Sequence, residues 1–268
     1  MSRLTEWGSN ATGALTGGWS SLGPAAAEVL TLSGLDWVIL DAQHGIFDDR
    51  SVVETLHIIP RGRTDVMVRV RRNDEALIGR SLDAGARGVI VPMIETAEDA
   101  QRASEACRYP PQGSRSWGQF SASWGLAEVS VEESNRTVVC AVMVENQRSL
   151  ESVDAIAAIP GVDMIFVGPY DLSIALGIDI DELVDKGNAG ALGIIVSACK
   201  RNNVIPGVFA GTVERASALA NLGFVAIAAG TDAGLLRSAA ENLRGAVESS
   251  RAATVGKPDR QNGSEFGF

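Results

Sequence analysis

Eight short runs rich in Val and Ile, each followed by a longer segment of helical period, predict a (β/α)8 barrel of the α/β class for this chain. Length allows it: 268 residues suit one TIM-type barrel in a single domain, or two small domains. The alternative, an open doubly wound sheet, usually carries a G-x-G-x-x-G turn after its first strand, and the sequence has none.

The expected strands are 14–19, 36–41, 65–70, 87–92, 137–144, 162–167, 205–209 and 224–228. Their apolar residues run mostly unbroken, as in strands buried on both faces. Helical patterns occupy 24–33, 50–58, 74–84, 96–106, 149–158, 187–202, 212–222 and 231–248. Gly34, Gly85, Gly161 and Gly223 fall between a helix and the next strand, where the chain needs a left-handed cap. The segment 109–130 is longer than an ordinary connection and carries Gly113, Ser114, Arg115, Trp117 and Gly118, so it is expected to be an active-site loop. The barrel domain is expected over 1–250, and the polar, Gly-rich stretch 251–268 as a disordered tail. Within it, Gly263-Ser264-Glu265-Phe266 is what two adjacent cloning sites commonly encode.

Composition narrows the function. The net charge is −10 and no basic stripe appears, which argues against a nucleic-acid partner. No apolar run is long enough to span a bilayer. The N-terminal MSRLTEWGSN lacks the basic-then-apolar order of a secretory signal, so a cytoplasmic location is expected. Cys107, Cys140 and Cys199 are far apart and without metal-ligand spacing; they read as buried small hydrophobes in a reducing compartment.

In such a barrel, chemistry sits at the C-terminal ends of the strands. Asp41 ends the second strand and His44 follows three residues later; Arg69 lies near the end of the third, Glu145 ends the fifth, and Asp171 follows the sixth. Four strands therefore place charged groups on one rim. Alternation puts Met143 on the face of Glu145, Met67 on that of Arg69 and Ile39 on that of Asp41. A charge facing a barrel interior is costly unless paired or metal-bound, and two converging carboxylates suit a hard cation such as Mg2+ or Mn2+. Each residue also has a plainer reading. A lone Asp or Glu at a strand end caps a helix, Arg69 could close a structural ion pair, and His44 could be a satisfied histidine. His57 reads as structural.

With these residues in place, the sequence resembles the class II, metal-dependent pyruvate aldolases acting on 4-hydroxy-2-oxo acids, the 4-hydroxy-2-oxoheptanedioate and 2-dehydro-3-deoxyglucarate aldolases. The resemblance runs from about Gly17 to Leu243 through GGWSSLG, DWVILDAQHG, VRV, LDAGARGVIVPM, RYPPQGSRSWG, VMVE and VGPYDLS, in that order. It implies that Glu145 and Asp171 hold a divalent metal ion (Mg2+, Mn2+ or Co2+) that binds the carboxylate and oxo oxygens of pyruvate. It implies His44 as general base, directly or through a metal-bound water, and Arg69 as stabiliser of the enolate oxygen. Gly168 and Tyr170, flanking Pro169, would offer backbone N–H groups to the substrate carboxylate, with Trp19 lining the site. Asp83 would raise the basicity of the histidine. It stands at a helix end, away from its own rim, so the role implies a homo-oligomer, a hexamer by resemblance, in which Asp83 serves a neighbour. The substrates implied are a small 2-oxo acid, pyruvate or hydroxypyruvate, and an aldehyde.

Two positions depart from the family pattern. Met143 stands where some members carry a substrate-touching glutamine, and Gln43 where the family often has glutamate. A CoA-ester lyase or oxaloacetate decarboxylase on a related barrel would use the same logic, and a non-catalytic 2-oxo-acid or metal-binding barrel is the reading from another class. An iminium mechanism would need a lysine inside the barrel. The chain has three lysines, Lys186, Lys200 and Lys257, and none falls on an expected strand.

Overall fold

The computed structural model describes residue 4, residues 13–59 and residues 64–255. Its strands are β1 (Leu15–Ser20), β2 (Trp37–Asp41), β3 (Asp65–Arg69), β4 (Gly88–Val91), β5 (Val139–Val144), β6 (Met164–Val167), β7 (Ile205–Phe209) and β8 (Ala226–Thr231). They pair in parallel and in chain order, and β8 closes on β1. The (β/α)8 barrel is thus as expected, with strand bounds within two residues at most ends. The exception is β8, which runs three residues further.

The helices are α1 (Pro24–Leu32), α2 (Asp49–Ile58), α3 (Glu75–Asp83), α4 (Ala97–Cys107), α5 (Val131–Thr137), α6 (Gln147–Glu151), α7 (Val153–Ala157), α8 (Pro169–Leu176), α9 (Ile180–Asp185), α10 (Ala191–Asn202), α11 (Val213–Leu222) and α12 (Asp232–Val255). Local chemistry sets their starts: Asp48 and Thr96 close capping boxes before α2 and α4, and Asp74 and Thr212 cap α3 and α11. The expected helix 149–158 is two short helices, broken at Ser152. Helices α5, α8 and α9 are additions to the reading from sequence. Gly34, Gly85, Gly161 and Gly223 all take positive φ, as their place before a strand requires.

The chain divides into two units between Asp232 and Ala233. Helix α12 from Ala233 onward makes up the described part of the second and runs to Val255, so 251–255 are helical where a tail is expected. Residues 256–268, with Gly263-Ser264-Glu265-Phe266, lie outside the described residues. No described helix is long and apolar enough to cross a membrane.

Two apolar layers build the barrel unit. The outer layer packs one face of the strands (Val38, Leu40, Val66, Val68, Cys140, Val142, Val144) against the helices. The inner layer fills the barrel with the alternate residues Trp37, Ile39, Met67, Ala141, Met143, Met164 and Phe166. Gly17 makes room for this filling, since a Cβ there would lie 2.4 Å from the Trp37 ring. Leu4 joins the inner cluster, and its N–H donates to Asp65 at the start of β3, which places it at the N-terminal end of the barrel. The three cysteines are buried and free.

Candidate active site

The inward face of each strand continues past the apolar layer into polar residues. Above Ile39 stands Asp41, above Met67 stands Arg69, and above Met143 stands Glu145, all buried at 3%, 7% and 5% exposure. Three charges lie in the mouth of an apolar barrel, so what compensates them decides what they do.

Asp41 and Arg69 compensate each other. The guanidinium donates through Nε at 2.9 Å to one carboxylate oxygen and through Nη2 at 2.6 Å to the other. Trp19 Nε1 donates to the same carboxylate at 3.1 Å, and the backbone N–H groups of Gln43 and His44 at 3.0 and 3.2 Å. Burial pushes the Asp41 carboxyl upward, but these donors, Arg69 first among them, outweigh it and hold the group below the usual aspartate range. The Arg69 guanidinium also lies over the Trp19 ring, 4.6 Å from its centroid. The arginine is therefore fixed in place and permanently charged.

Glu145 is compensated only in part. Its Oε1 accepts the N–H of Met93 at 2.6 Å. Burial raises its carboxyl above the usual range, and the charge of Asp171 adds to the rise; the Met93 N–H, Arg69 and His44 act in the other direction. Met93 adopts a left-handed φ of 57° to make this contact, which strains a non-glycine residue by ~1 kcal/mol. Asp171 is exposed in the first turn of α8. The turn before it needs Gly168: a Cβ there would lie 3.0 Å from Met143 Cε and 3.2 Å from Glu145 Oε2. No side chain caps α8, which leaves the N–H groups at its start available to an anion.

These donors fit a hard divalent cation. A half-compensated buried carboxylate beside an exposed one is a site where a cation relieves repulsion. Among the described residues no cluster of three or more His, Cys, Asp or Glu side chains could hold a metal ion. A cation at Glu145 and Asp171 would thus take its remaining oxygens from substrate and water.

His44 lies on the loop after β2, exposed, with its charge felt at Glu145. Trp19 meets Phe166 and Phe209 at ring-centroid separations of 5.8 and 5.5 Å, and Tyr170 meets Phe209 at 6.0 Å, giving the mouth an aromatic wall. Met143 is buried beneath it, and the side-chain oxygen of Gln43 is buried without a hydrogen-bond partner.

The structure thus gathers Asp41, Arg69, Trp19, Glu145, Met143 and Gly168 at one mouth, with His44, Pro169, Tyr170 and Asp171 on its rim. Asp83 is elsewhere. It ends α3, at the opposite end of the barrel, and pairs with Arg115 at 2.7 Å. The segment 109–130 is there too, which corrects its expected place in the chain's own active site. It follows a helix and precedes a strand, so it emerges at the N-terminal face. There Arg115 and Gln119 line a hollow of about 640 Å3 with Asp36, Asp65 and Arg87, next to strand starts. His57 is exposed and packs edge-on against Trp124 at 4.8 Å.

A fixed cation and two carboxylates around an apolar mouth suit the making or breaking of a carbon–carbon bond beside a carbonyl, where charge must be carried on oxygen. Comparison with known proteins agrees. Residues 19–239 match the model of the HpcH/HpaI aldolase/citrate lyase family. A 5-keto-4-deoxy-D-glucarate aldolase of Klebsiella pneumoniae is 35% identical over 87% of this chain and 91% of its own length. One from Escherichia coli is 34% identical over 85% and 90%. The solved structure of a family protein from Burkholderia cenocepacia superimposes with a TM-score of 0.83 at 33% identity, covering 94% of this chain and 100% of the other. The chain belongs to the HpcH/HpaI aldolase/citrate lyase family, and it is a carbon–carbon lyase of the aldolase type.

Proposed function

We propose that this lyase cleaves 4-hydroxy-2-oxo acids reversibly to pyruvate, or hydroxypyruvate, and an aldehyde, with Mg2+, Mn2+ or Co2+ held by Glu145 and Asp171. The observation that carries this reading is the pairing, in one mouth, of a rigidly held Arg69 with the incompletely compensated carboxylate of Glu145. The divalent ion supplies Lewis-acid polarisation of the 2-oxo group. The substrate carboxylate meets the N–H groups of Gly168 and Tyr170 at the uncapped start of α8, with Pro169 fixing the turn. Trp19 and Met143 wall the mouth.

His44 takes the proton from the 4-hydroxyl, the C3–C4 bond breaks, and its electron pair moves toward the 2-oxo oxygen. Arg69 stabilises the negative charge that collects there, with little reorganisation because Asp41 already holds it. Return of a proton to C3 gives the 2-oxo acid, and the former C4 leaves as the aldehyde. Asp83 supports His44 from a neighbouring subunit, and the protein is a homohexamer in the cytoplasm. The location of Asp83 at the far end of its own barrel supports the shared site.

A chelator is expected to abolish pyruvate-forming activity, and a divalent ion to restore it. Glu145→Ala should lose both activity and Mg2+ binding by calorimetry. Full activity in Glu145→Ala with no bound metal would overturn the reading.

A further inference from the structure

The seam between β8 and β1 carries a group that the chemistry above does not use. Asp232 follows β8 directly and is 6% exposed. Its carboxylate accepts hydrogen bonds from three consecutive residues at the end of β1. Ser20 Oγ donates at 3.0 Å, the Ser21 N–H at 2.9 Å and the Leu22 N–H at 2.9 Å to one oxygen; Ser21 Oγ donates at 2.9 Å to the other. The β1–β8 ladder itself shifts register between Gly17 and Gly18. At its catalytic end the seam is therefore tied by a charged side chain as well as by strand pairing, through hydrogen bonds of the stronger, charge-assisted kind.

The tie continues into the next loop. The Ser21 carbonyl accepts the N–H of Ile46 at 3.1 Å. A Cβ on Gly45 would lie 2.4 Å from the Asp41 carbonyl and 3.1 Å from Ser21 Cα, and one on Gly23 would lie 2.9 Å from Ile46 Cδ1. The loops after β1 and β2 thus interlock at van der Waals contact, each admitted by a glycine of the other. His44 sits in that second loop, beside Gly45. The other edge of the loop is held by Arg71, which donates to the carbonyls of Ala42 and Phe47.

We propose that Asp232 is a positioning residue for His44. It fixes the β1 loop, and the β1 loop fixes the β2 loop that presents the base. The inference rests on the reading of His44 as general base. Loosening the β1 loop costs alignment of a proton transfer, which is a loss in turnover. Glu145 and Asp171 follow β5 and β6, which pair with neither β1 nor β8, so binding of metal and 2-oxo acid there is expected to change little.

The test compares full-length wild type with Asp232→Asn and Ser21→Ala. It measures kcat and KM for cleavage of a 4-hydroxy-2-oxo acid, and Mg2+ affinity in the presence of pyruvate. For Asp232→Asn, kcat is expected to fall at least ten-fold, with KM and Mg2+ affinity within about two-fold of wild type. Ser21→Ala removes one hydroxyl donor and should shift kcat in the same direction by a few fold. If Asp232→Asn does not fold, Ser21→Ala and Ser20→Ala carry the test with the same split. An unchanged kcat, or losses of kcat and Mg2+ affinity in equal measure, would overturn the proposal. Full activity in His44→Ala would show instead that the base is misassigned, so the two failures are told apart.

Discussion

Among single residues, the Asp41–Arg69 pair has the largest predicted consequences. Both side chains are under 10% exposed, and removing one member leaves the other charged in an apolar mouth, a loss of ~3–5 kcal/mol. Asp41→Asn should be destabilised by that amount at pH 7. The Asp41 carboxyl titrates below its ordinary range in the folded chain, so its contribution is complete above that range and fades as pH falls through the depressed value. The difference in Tm between wild type and Asp41→Asn should therefore close below about pH 4. A gap that widened in acid would contradict the assignment. Arg69→Ala should lower kcat by at least about 10²-fold, the scale of one lost oxyanion-stabilising group. Steady-state kinetics at saturating metal would show it.

At the scale of elements, the connections carry more information than the strands. Met93, in the loop after β4, accepts a strained backbone so that its N–H reaches Glu145. Met93→Gly should keep that N–H in place and raise stability by up to ~1 kcal/mol in thermal unfolding. Met93→Val should destabilise, because a β-branched residue resists a positive φ. The strands themselves were legible in the sequence, because unbroken apolar runs closed by glycine leave few other ways to satisfy a backbone. The rim charges were legible by alternation, since Asp41, Arg69 and Glu145 each stand two residues beyond an inward apolar residue. The length of segment 109–130 suggests an active-site loop, but a helix-to-strand connection returns to the N-terminal face, and that direction decides its place. The role of Asp232 left no trace in the sequence. An aspartate opening a helix reads as a cap, and only the folded seam brings Ser20 and Ser21 to it, across more than two hundred positions of chain.

For the whole molecule, the question is where the rest of the site comes from. Asp83 stands with Arg115 at the N-terminal face, while His44 stands at the opposite mouth. If neighbouring subunits complete one another, inactive Asp83→Asn and inactive His44→Ala proteins should recover part of their activity when refolded together. No recovery in mixed oligomers would restrict Asp83 to a structural ion pair. The lysines make a separate case. Lys186 is exposed and pairs with Glu182, and Lys200 is exposed near the end of α10; neither stands on a strand, and Lys257 lies outside the described residues. Borohydride with pyruvate should trap no adduct, and replacing all three lysines with arginine should leave turnover largely intact.

If Glu145 and Asp171 hold the proposed cation, a seat with two protein carboxylates has a thermodynamic consequence. Most of the ion's oxygens must then arrive with substrate and solvent, so neither metal nor 2-oxo acid binds at full strength alone. Each must tighten the other, and by the same factor in both directions. Pyruvate should lower the concentration of Mg2+ needed for half-saturation, and Mg2+ should do the same for pyruvate. The enzyme would then release its ion between turnovers and sample whichever divalent metal its surroundings supply.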